Sequence, residues 1–206
     1  MAIKSDREYR MVQLPEIQFR AIEDEEQSFV VEGYATTFDD AYELFKFEGV
    51  SYKEKIDRDA LVDADMSDVI FLYNHEGMVF ARQSNGTLQL SANDKGLYIR
   101  ADLSSTEASR QMYESIKAGL VTQMSWAFTI DEDSYDEKKH LRTINRIGKV
   151  YDVSAVSIPA NPNTDISARS FWDGVIEEER RRDLERKEWQ NRMKNKLRKE
   201  DTNDEH

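Results

Sequence analysis

Alternating apolar and polar residues predict a chain built mainly from short β-strands. Residues 17–22 and 29–35 alternate on either side of an acidic turn, and residues 87–92 and 96–101 alternate on either side of a glycine-containing turn. A two-residue period places successive side chains on opposite faces of a sheet, so each pair of segments predicts a β-hairpin. Residues 36–52 contain several aromatic residues without a clear period, and they predict a loop.

Two segments have helical periodicity instead. The first begins at a predicted capping box, Ser104–Glu107, and ends at Gly119, and its apolar face consists of Ala108, Met112, Tyr113 and Ile116. The second is a highly charged segment with a narrow apolar stripe that consists of Trp172, Ile176, Leu184, Trp189, Met193 and Leu197. So thin a stripe buries little surface by itself, which leaves two interpretations open: a helix that docks on a partner, or a solvated and partly frayed tail.

Three apolar runs carry the candidate chemistry. Residues 121–130 form a strand-like run that contains Ser125. A second run, residues 69–73, leads into His75, and Asp152 lies near the start of a third run at residues 149–158. A serine, a histidine and an acid are the components of an activated hydroxyl nucleophile, because the hydroxyl needs a nearby base and the base needs a group that orients it.

Strand alternation also predicts on which face of its strand Ser125 lies. Met124, Trp126 and Phe128 fall on one face of the strand, so Ser125 and Ala127 fall on the other. We expect this second face to be small and open, and therefore suited to an extended substrate chain. A sharp turn at residues 159–162 predicts, more weakly, that backbone amides near Ala160 and Asn161 serve as oxyanion donors.

Each of these residues also has an ordinary structural interpretation. A serine in a strand is commonly just a small residue, and a histidine near a strand end is commonly a satisfied polar group. Asp152 at the start of a strand could accept a hydrogen bond from a loop amide. His140 competes with Asp152 for the third role, although it lies in a charged segment, residues 131–140, that predicts a solvated loop. The pattern by itself leaves these alternatives open.

Composition narrows the possible functions. The chain carries a net charge of −12, and residues 171–206 contain 11 acidic and 10 basic residues, so the acidity belongs to residues 1–170. An acidic body repels phosphate backbones, which argues against direct nucleic-acid binding. The chain has no cysteine and three histidines, which excludes disulfides and thiolate metal sites and disfavours a histidine-rich zinc site. We therefore expect neither a metal nor a cofactor.

Length and patterning predict three regions. Residues 1–15 form a polar arm, residues 16–170 form the main domain, and residues 171–206 form the charged helix or tail. No apolar run approaches the roughly 18–20 residues of a membrane span and the N-terminal residues contain no apolar signal core, so we expect a soluble intracellular protein without membrane contact. The predicted fold class is α+β, mainly β, as an antiparallel barrel or sandwich with attached helices.

An ordered set of short motifs resembles the prohead (capsid maturation) proteases of tailed phages. The resemblance covers residues from about 15 to 170, and it rests on Val31–Ala35, Leu72–Glu76, Gly86–Leu90, Gly96–Ile99, Met124–Phe128 and Asp152–Pro162. That family is similar to the herpesvirus assembly proteases, so the resemblance implies an antiparallel β-barrel of the herpesvirus-protease type with surrounding helices. The charged segment then adds a C-terminal amphipathic helix.

The resemblance also implies roles for the candidate residues. His75, in its Asn-His-Glu motif, corresponds to the general base, and Ser125, in its Met-Ser-Trp-Ala-Phe motif, corresponds to the nucleophile. Asp152 corresponds to the acid that orients His75, a role that a second histidine has in the herpesvirus relatives, and His140 is the alternative.

The implied function is that of a serine endopeptidase inside the procapsid, in the cytoplasm of the host cell. Its expected partners are the major capsid protein, whose scaffolding segment it cleaves, and further copies of itself, through self-association and self-cleavage. The alternative is a catalytically inactive capsid-assembly or scaffold protein with the same fold.

Overall fold

A computed structural model describes residues 7–12, 20–21, 29–157 and 166–201. The chain divides into two compact units, Met1–Ser167 and Ala168–His206. The described part of the first unit contains eleven strands and one helix, and the second unit contains the long helix. The fold is therefore α+β and mainly β.

The first unit contains a mixed sheet and a smaller antiparallel sheet. The mixed sheet has the strand order β1-β10-β11-β5-β4, and β6 joins it by pairing with β11 and β7; the smaller sheet has the order β2-β3-β9-β8. The strand bounds are β1 Glu8–Val12, β2 Arg20–Ala21, β3 Val30–Thr37, β4 Tyr42–Phe47, β5 Val50–Ile56, β6 Ile70–Tyr73, β7 Glu76–Arg82, β8 Leu88–Ala92, β9 Gly96–Asp102, β10 Gln123–Asp136 and β11 Leu141–Val156.

The described strands do not close into the predicted antiparallel barrel. They form two open sheets, and β11 pairs in parallel with both β5 and β6. A sixteen-residue strand is long enough to pair with β10 along its whole length on one side and with two shorter strands on the other. Parallel pairing depends on contacts between distant segments, and strand alternation alone does not predict it.

The local predictions agree with the structure where short-range patterns are strong. β8 and β9 form the predicted hairpin, and β2 pairs with β3 within the described part of the first hairpin. Helix α1 spans Glu107–Lys117 and buries Met112, Tyr113 and Ile116, as its apolar face predicts. Gly119 has the predicted left-handed conformation, with φ of 72°.

Three local predictions are wrong. The N-cap of α1 is Thr106, whose side chain accepts a hydrogen bond from the Ser109 amide, and the capping box at Ser104 does not form. Residues 36–52 contain β4 and the start of β5 rather than a loop. The charged segment 131–140 continues β10 and then turns into β11, because one long hairpin satisfies its backbone while its side chains face solvent.

The core of the first unit draws side chains from both sheets and from α1. Its largest fully buried members include Trp126, Phe71, Phe128, Leu97 and Ile144. The Ser125 strand is therefore anchored by the apolar side chains on either side of the serine.

Helix α2 spans Ile166–Asp201, and all but its first two residues belong to the second unit. Its described surface carries ion pairs at helical spacing, such as Arg182 with Glu178 and Arg186 with Asp183. Three residues of the predicted stripe, Leu184, Trp189 and Met193, are exposed.

Replacing Gly96 with alanine is expected to lower the free energy of unfolding by about 1–3 kcal/mol. Gly96 faces Thr37 across the β3–β9 pair, and a Cβ atom there would lie 2.0 Å from the Thr36 carbonyl oxygen, so the two strands would have to separate. Denaturant unfolding measures the effect. Gly174→Ala is the matched control, because its Cβ meets no neighbouring atom; equal losses in both variants would contradict the prediction.

Candidate active site

His75 lies in a two-residue turn that projects from the mixed sheet. The turn joins β6 to β7, and its residues Asn74 and His75 both have positive φ, 50° and 62°, between the paired residues Tyr73 and Glu76. Two consecutive left-handed residues match the tight turns whose twist suits a hairpin. The conformation costs a residue other than glycine roughly 1 kcal/mol, so neighbouring contacts must stabilise it.

Those contacts come from the end of β11. The Asn74 amide donates to the Ala155 carbonyl at 3.0 Å, and the Ser157 amide donates to Asn74 Oδ1 at 3.3 Å. These bonds continue the parallel pairing of β6 with β11, in which Leu72 faces Ser154. The turn is thereby attached to the strand that carries Asp152, and the direction of the His75 side chain is set.

Ser125 and Asp152 lie on one face of the β10–β11 ladder. Ser125 pairs with Ser154, and Ala127 pairs with Asp152, so these four side chains project from the same side of the sheet. The sheet is buried here: Asp152 has 1% of its surface exposed, and Ser125 and Ser154 have none. Regular pairing from Gln123 to Ala127, where β10 begins and β11 ends, gives these groups fixed positions.

The three predicted side chains meet at hydrogen-bond distance. His75 Nε2 lies 2.7 Å from Ser125 Oγ, and His75 Nδ1 lies 2.6 Å from Asp152 Oδ1. The carboxylate accepts the proton on Nδ1, and this tautomer leaves the Nε2 lone pair free to accept the serine proton. The arrangement is that of a hydroxyl, a base and an orienting acid.

Ser154 is a fourth polar residue of the site, and the sequence reasoning missed it. Its hydroxyl donates to Asp152 Oδ1 at 2.8 Å and lies 3.2 Å from His75 Nδ1. A buried carboxylate needs several donors, so Ser154 satisfies a second lone pair of the same oxygen. Its position two residues after Asp152, on the same face of a strand, was the available signal.

The structure does not bring His140 to this site. His140 lies in the turn between β10 and β11, where its Nδ1 is 3.2 Å from the Tyr135 hydroxyl and its ring packs edge-on against Tyr52. Tyr135 is ten residues beyond Ser125 on β10, about 30 Å of extended strand. Ala160 and Asn161 lie outside the described residues.

The expected open face beside Ser125 is absent from the described structure. Ser125 and Ala127 are fully buried, and β1 runs antiparallel along β10 with Met11 paired to Ser125. The Ser125 hydroxyl lies 2.9 Å from the Arg10 carbonyl oxygen, and the Tyr9 ring packs edge-on against His75.

A buried ion cluster supports β1 from its other face. Arg10 donates to both oxygens of Glu54, at 2.6 and 3.0 Å, and also bonds Glu8; Arg142 lies near both carboxylates, at 3.3 and 3.4 Å. Tyr42 donates to Glu54 at 2.6 Å. No sequence pattern predicts this cluster, because charged residues are frequent throughout the chain and only the fold selects these few for burial.

Burial and neighbouring charges act in opposite directions on the pKa values of Glu54 and Arg10. Burial alone raises the pKa of the Glu54 carboxyl, but Arg10 and Arg142 outweigh it and hold that pKa below its ordinary value. Burial lowers the pKa of Arg10, but the Glu54 and Glu8 carboxylates outweigh burial and hold the Arg10 pKa well above its usual value. Burial and the Glu54 charge together raise the pKa of the Tyr42 phenol.

Replacing Glu54 with glutamine is expected to lower the free energy of unfolding by about 3–5 kcal/mol, because two buried guanidinium groups lose their shared carboxylate. The lowered Glu54 pKa adds a pH dependence. The stabilisation is fully present above the ordinary pKa of 4.5 and is lost as the pH falls through the lowered value. Denaturant unfolding between pH 7 and pH 3 measures both effects. Asp68→Asn, at the exposed pair with Arg82, is the control and should cause a far smaller loss.

The described residues contain neither a cluster of three or more His, Cys, Asp or Glu that could hold a metal ion nor a helix long and apolar enough to cross a membrane.

Comparisons with known proteins identify the family. The sequence profile of the Caudovirus prohead serine protease family matches residues 15–174, which is most of the chain. Among solved structures, the bacteriophage T4 capsid assembly protease gp21 is similar at 12% identity and a TM-score of 0.45, over 74% of this chain and 98% of that chain. No curated protein sequence gives a significant match. The extent of the profile match shows that this chain belongs to the Caudovirus prohead serine protease family.

Proposed function

We propose that this chain is an active serine endopeptidase in which Ser125 is the nucleophile, His75 is the general base and Asp152 orients His75. The observation that carries the proposal is the continuous relay from Asp152 through His75 to Ser125, with contacts of 2.6 and 2.7 Å. Membership of a serine protease family supports the same reaction class.

The relay supplies each proton transfer that peptide hydrolysis needs. As Ser125 Oγ attacks the peptide carbonyl carbon, His75 Nε2 takes the hydroxyl proton, and the Asp152 carboxylate stabilises the imidazolium. His75 then protonates the leaving amine, so the C–N bond breaks and an acyl-serine remains. Water attacks this ester with His75 again as the base, which releases the acid and restores the hydroxyl. Ser154 helps to hold Asp152 in place.

The family supports a role in capsid maturation inside the procapsid, in the host cytoplasm. In our proposal the substrates are the scaffolding segment of the major capsid protein and the enzyme itself, and copies of the chain associate. In this proposal residues 1–15 form the arm, residues 16–170 form the protease domain, and residues 171–206 form the tail. We also retain the proposed kinship with the herpesvirus assembly proteases, for which the serine–histidine pair is the support.

Co-expression with the major capsid protein of the same phage tests this function. Intact-mass analysis should find a shortened capsid protein with the wild-type enzyme and the full-length capsid protein with Ser125→Ala. Edman sequencing or tandem mass spectrometry of the new ends then locates the cleaved bond. Identical capsid-protein masses with both forms would reject the proposal.

The second candidate is an inactive assembly protein with the same fold. The observations in its favour are the complete burial of Ser125 and the exposed apolar residues Leu184, Trp189 and Met193 on α2. It predicts that truncation after Ser170 abolishes incorporation into proheads, while alanine at Ser125 or at His75 leaves maturation unchanged. Incorporation and capsid-protein cleavage, measured on the same particles, separate the two candidates.

A further inference from the structure

β1 has the geometry of a peptide bound at the edge of the nucleophile strand. It is the terminal strand of the mixed sheet, and its five residues pair antiparallel with β10, from Glu8 opposite Phe128 to Val12 opposite Met124. A protease that reads an extended substrate commonly adds it as a strand to a sheet edge, where main-chain bonds supply the affinity. With β1 in place, that edge of β10 is filled by the protein's own backbone.

The contact between β1 and Ser125 competes with the relay. Ser125 Oγ lies 2.9 Å from the Arg10 carbonyl oxygen and 2.7 Å from His75 Nε2. A serine hydroxyl has one proton, so it cannot donate to both acceptors at once. A proton directed to the Arg10 carbonyl is not available to the base. The Arg10 carbonyl of β1 thus competes with His75 for the hydrogen bond that the Ser125 hydroxyl donates.

β1 also shields both Ser125 and His75 from a substrate. Ser125 has no exposed surface, and the Tyr9 ring lies against His75 with 4.7 Å between ring centroids. A substrate carbonyl carbon must approach the serine oxygen closely enough to form a bond. Such an approach requires β1 to leave its place beside β10.

The ion cluster fixes the register of β1. Glu8 and Arg10 project into the cluster, where Arg10 forms its two-pronged contact with Glu54, while Tyr9 projects to the opposite side. A shift of β1 by one residue would turn Arg10 away from Glu54. The cluster therefore holds the Arg10 carbonyl, rather than that of a neighbouring residue, at Ser125.

From these contacts we infer that β1 occupies the position in which a substrate strand would bind beside β10. It keeps Ser125 unreactive until an extended peptide or a change in assembly displaces β1. This inference rests on the proposed function, because it describes the regulation of the same site. Displacement of β1 exposes Ser125, lets the Ser125 hydroxyl donate its hydrogen bond to His75 and opens the edge of β10 to the substrate.

Labelling with a fluorophosphonate reagent tests the inference separately from proteolysis. Ser125 Oγ attacks phosphorus, the P–F bond breaks, fluoride leaves, and His75 takes the hydroxyl proton. The amount of label therefore measures how much Ser125 is reactive, and it does not depend on which peptide sequence the enzyme cleaves. The full-length chain is compared with its Val12→Gly variant, which weakens the strand propensity of β1 at a position paired with Met124. Gln89→Gly, at an exposed position of β8, which is the edge strand of the other sheet, is the matched control.

Val12→Gly is expected to raise the labelling rate about fivefold, which corresponds to a shift of about 1 kcal/mol in the docking of β1. Gln89→Gly should label like the wild type. A peptide with the sequence of residues 7–12, added in excess to Val12→Gly, should restore slow labelling, and a scrambled peptide should not. Deletion of residues 1–12 is the second variant, with an expected increase of at least about tenfold; circular dichroism checks its folding.

Two results would overturn the inference, and they differ in what they imply for the proposed function. Fast labelling of Ser125 in the wild type, unchanged in Val12→Gly and unaffected by the peptide, would show that β1 does not block the site, and the proposed protease would stand. Folded variants whose Ser125 never reacts would reject both the latency and the proposed nucleophile.

Discussion

Replacing Ser125 with alanine is expected to lower the rate of capsid-protein cleavage by roughly 10⁶-fold. The substitution removes the atom that forms the acyl intermediate, and neither His75 nor Asp152 can replace it. Ser154, another hydroxyl of the site, contacts the wrong nitrogen of His75: it lies 3.2 Å from Nδ1, on the side of the ring that faces Asp152. Time courses of cleavage with purified enzyme and capsid protein measure the effect.

Folding should be nearly unaffected by this change. Alanine is smaller than serine and fits a position that is fully buried between β1 and β11, and the loss of one buried hydroxyl changes the free energy of unfolding by about 1–2 kcal/mol at most. Ser91→Ala, on an exposed position of β8, is the matched control and should retain wild-type cleavage. Comparable cleavage by the Ser125 variant would assign the nucleophile to another residue.

Replacing Asp152 with asparagine is expected to lower the cleavage rate by roughly 10⁴-fold. The side-chain amide can donate to His75 Nδ1, which would force the ring proton onto Nε2 and remove the lone pair that takes the serine proton. The amide also lacks the negative charge that stabilises the imidazolium. Ser154 would lose a charged acceptor at 2.8 Å, so the local hydrogen bonds would rearrange as well.

His140→Ala is the control that decides between the two candidates for this role. His140 contacts Tyr135 and Tyr52 at the far end of the β10–β11 hairpin, so its loss should change the cleavage rate less than twofold, a change worth about 0.4 kcal/mol of transition-state stabilisation. Cleavage time courses with both variants measure the difference. A large loss with His140→Ala and a small loss with Asp152→Asn would transfer the orienting role to His140.

Sequence patterns were informative where the deciding contacts are local. The β8–β9 hairpin follows from two alternating segments and a short turn, and the buried face of α1 follows from its helical spacing. For the same reason the run around Ser125 could be recognised as a strand. Local patterns failed where long-range pairing overrode them, as in the charged segment 131–140, which the β10–β11 ladder holds as strand and turn.

Short segments were enough to indicate the family and the three residues proposed for catalysis, because ordered motifs and the side chains carried by one strand are local properties. The three-dimensional packing was needed to show that Asp152 rather than His140 contacts His75, that Ser154 joins them, and that β1 covers Ser125. These outcomes depend on the parallel pairing of β6 with β11 and on the register of β1 along β10. Such pairings join residues that are 82 to 120 positions apart, and alternation within a strand specifies a face but not the neighbour that meets it.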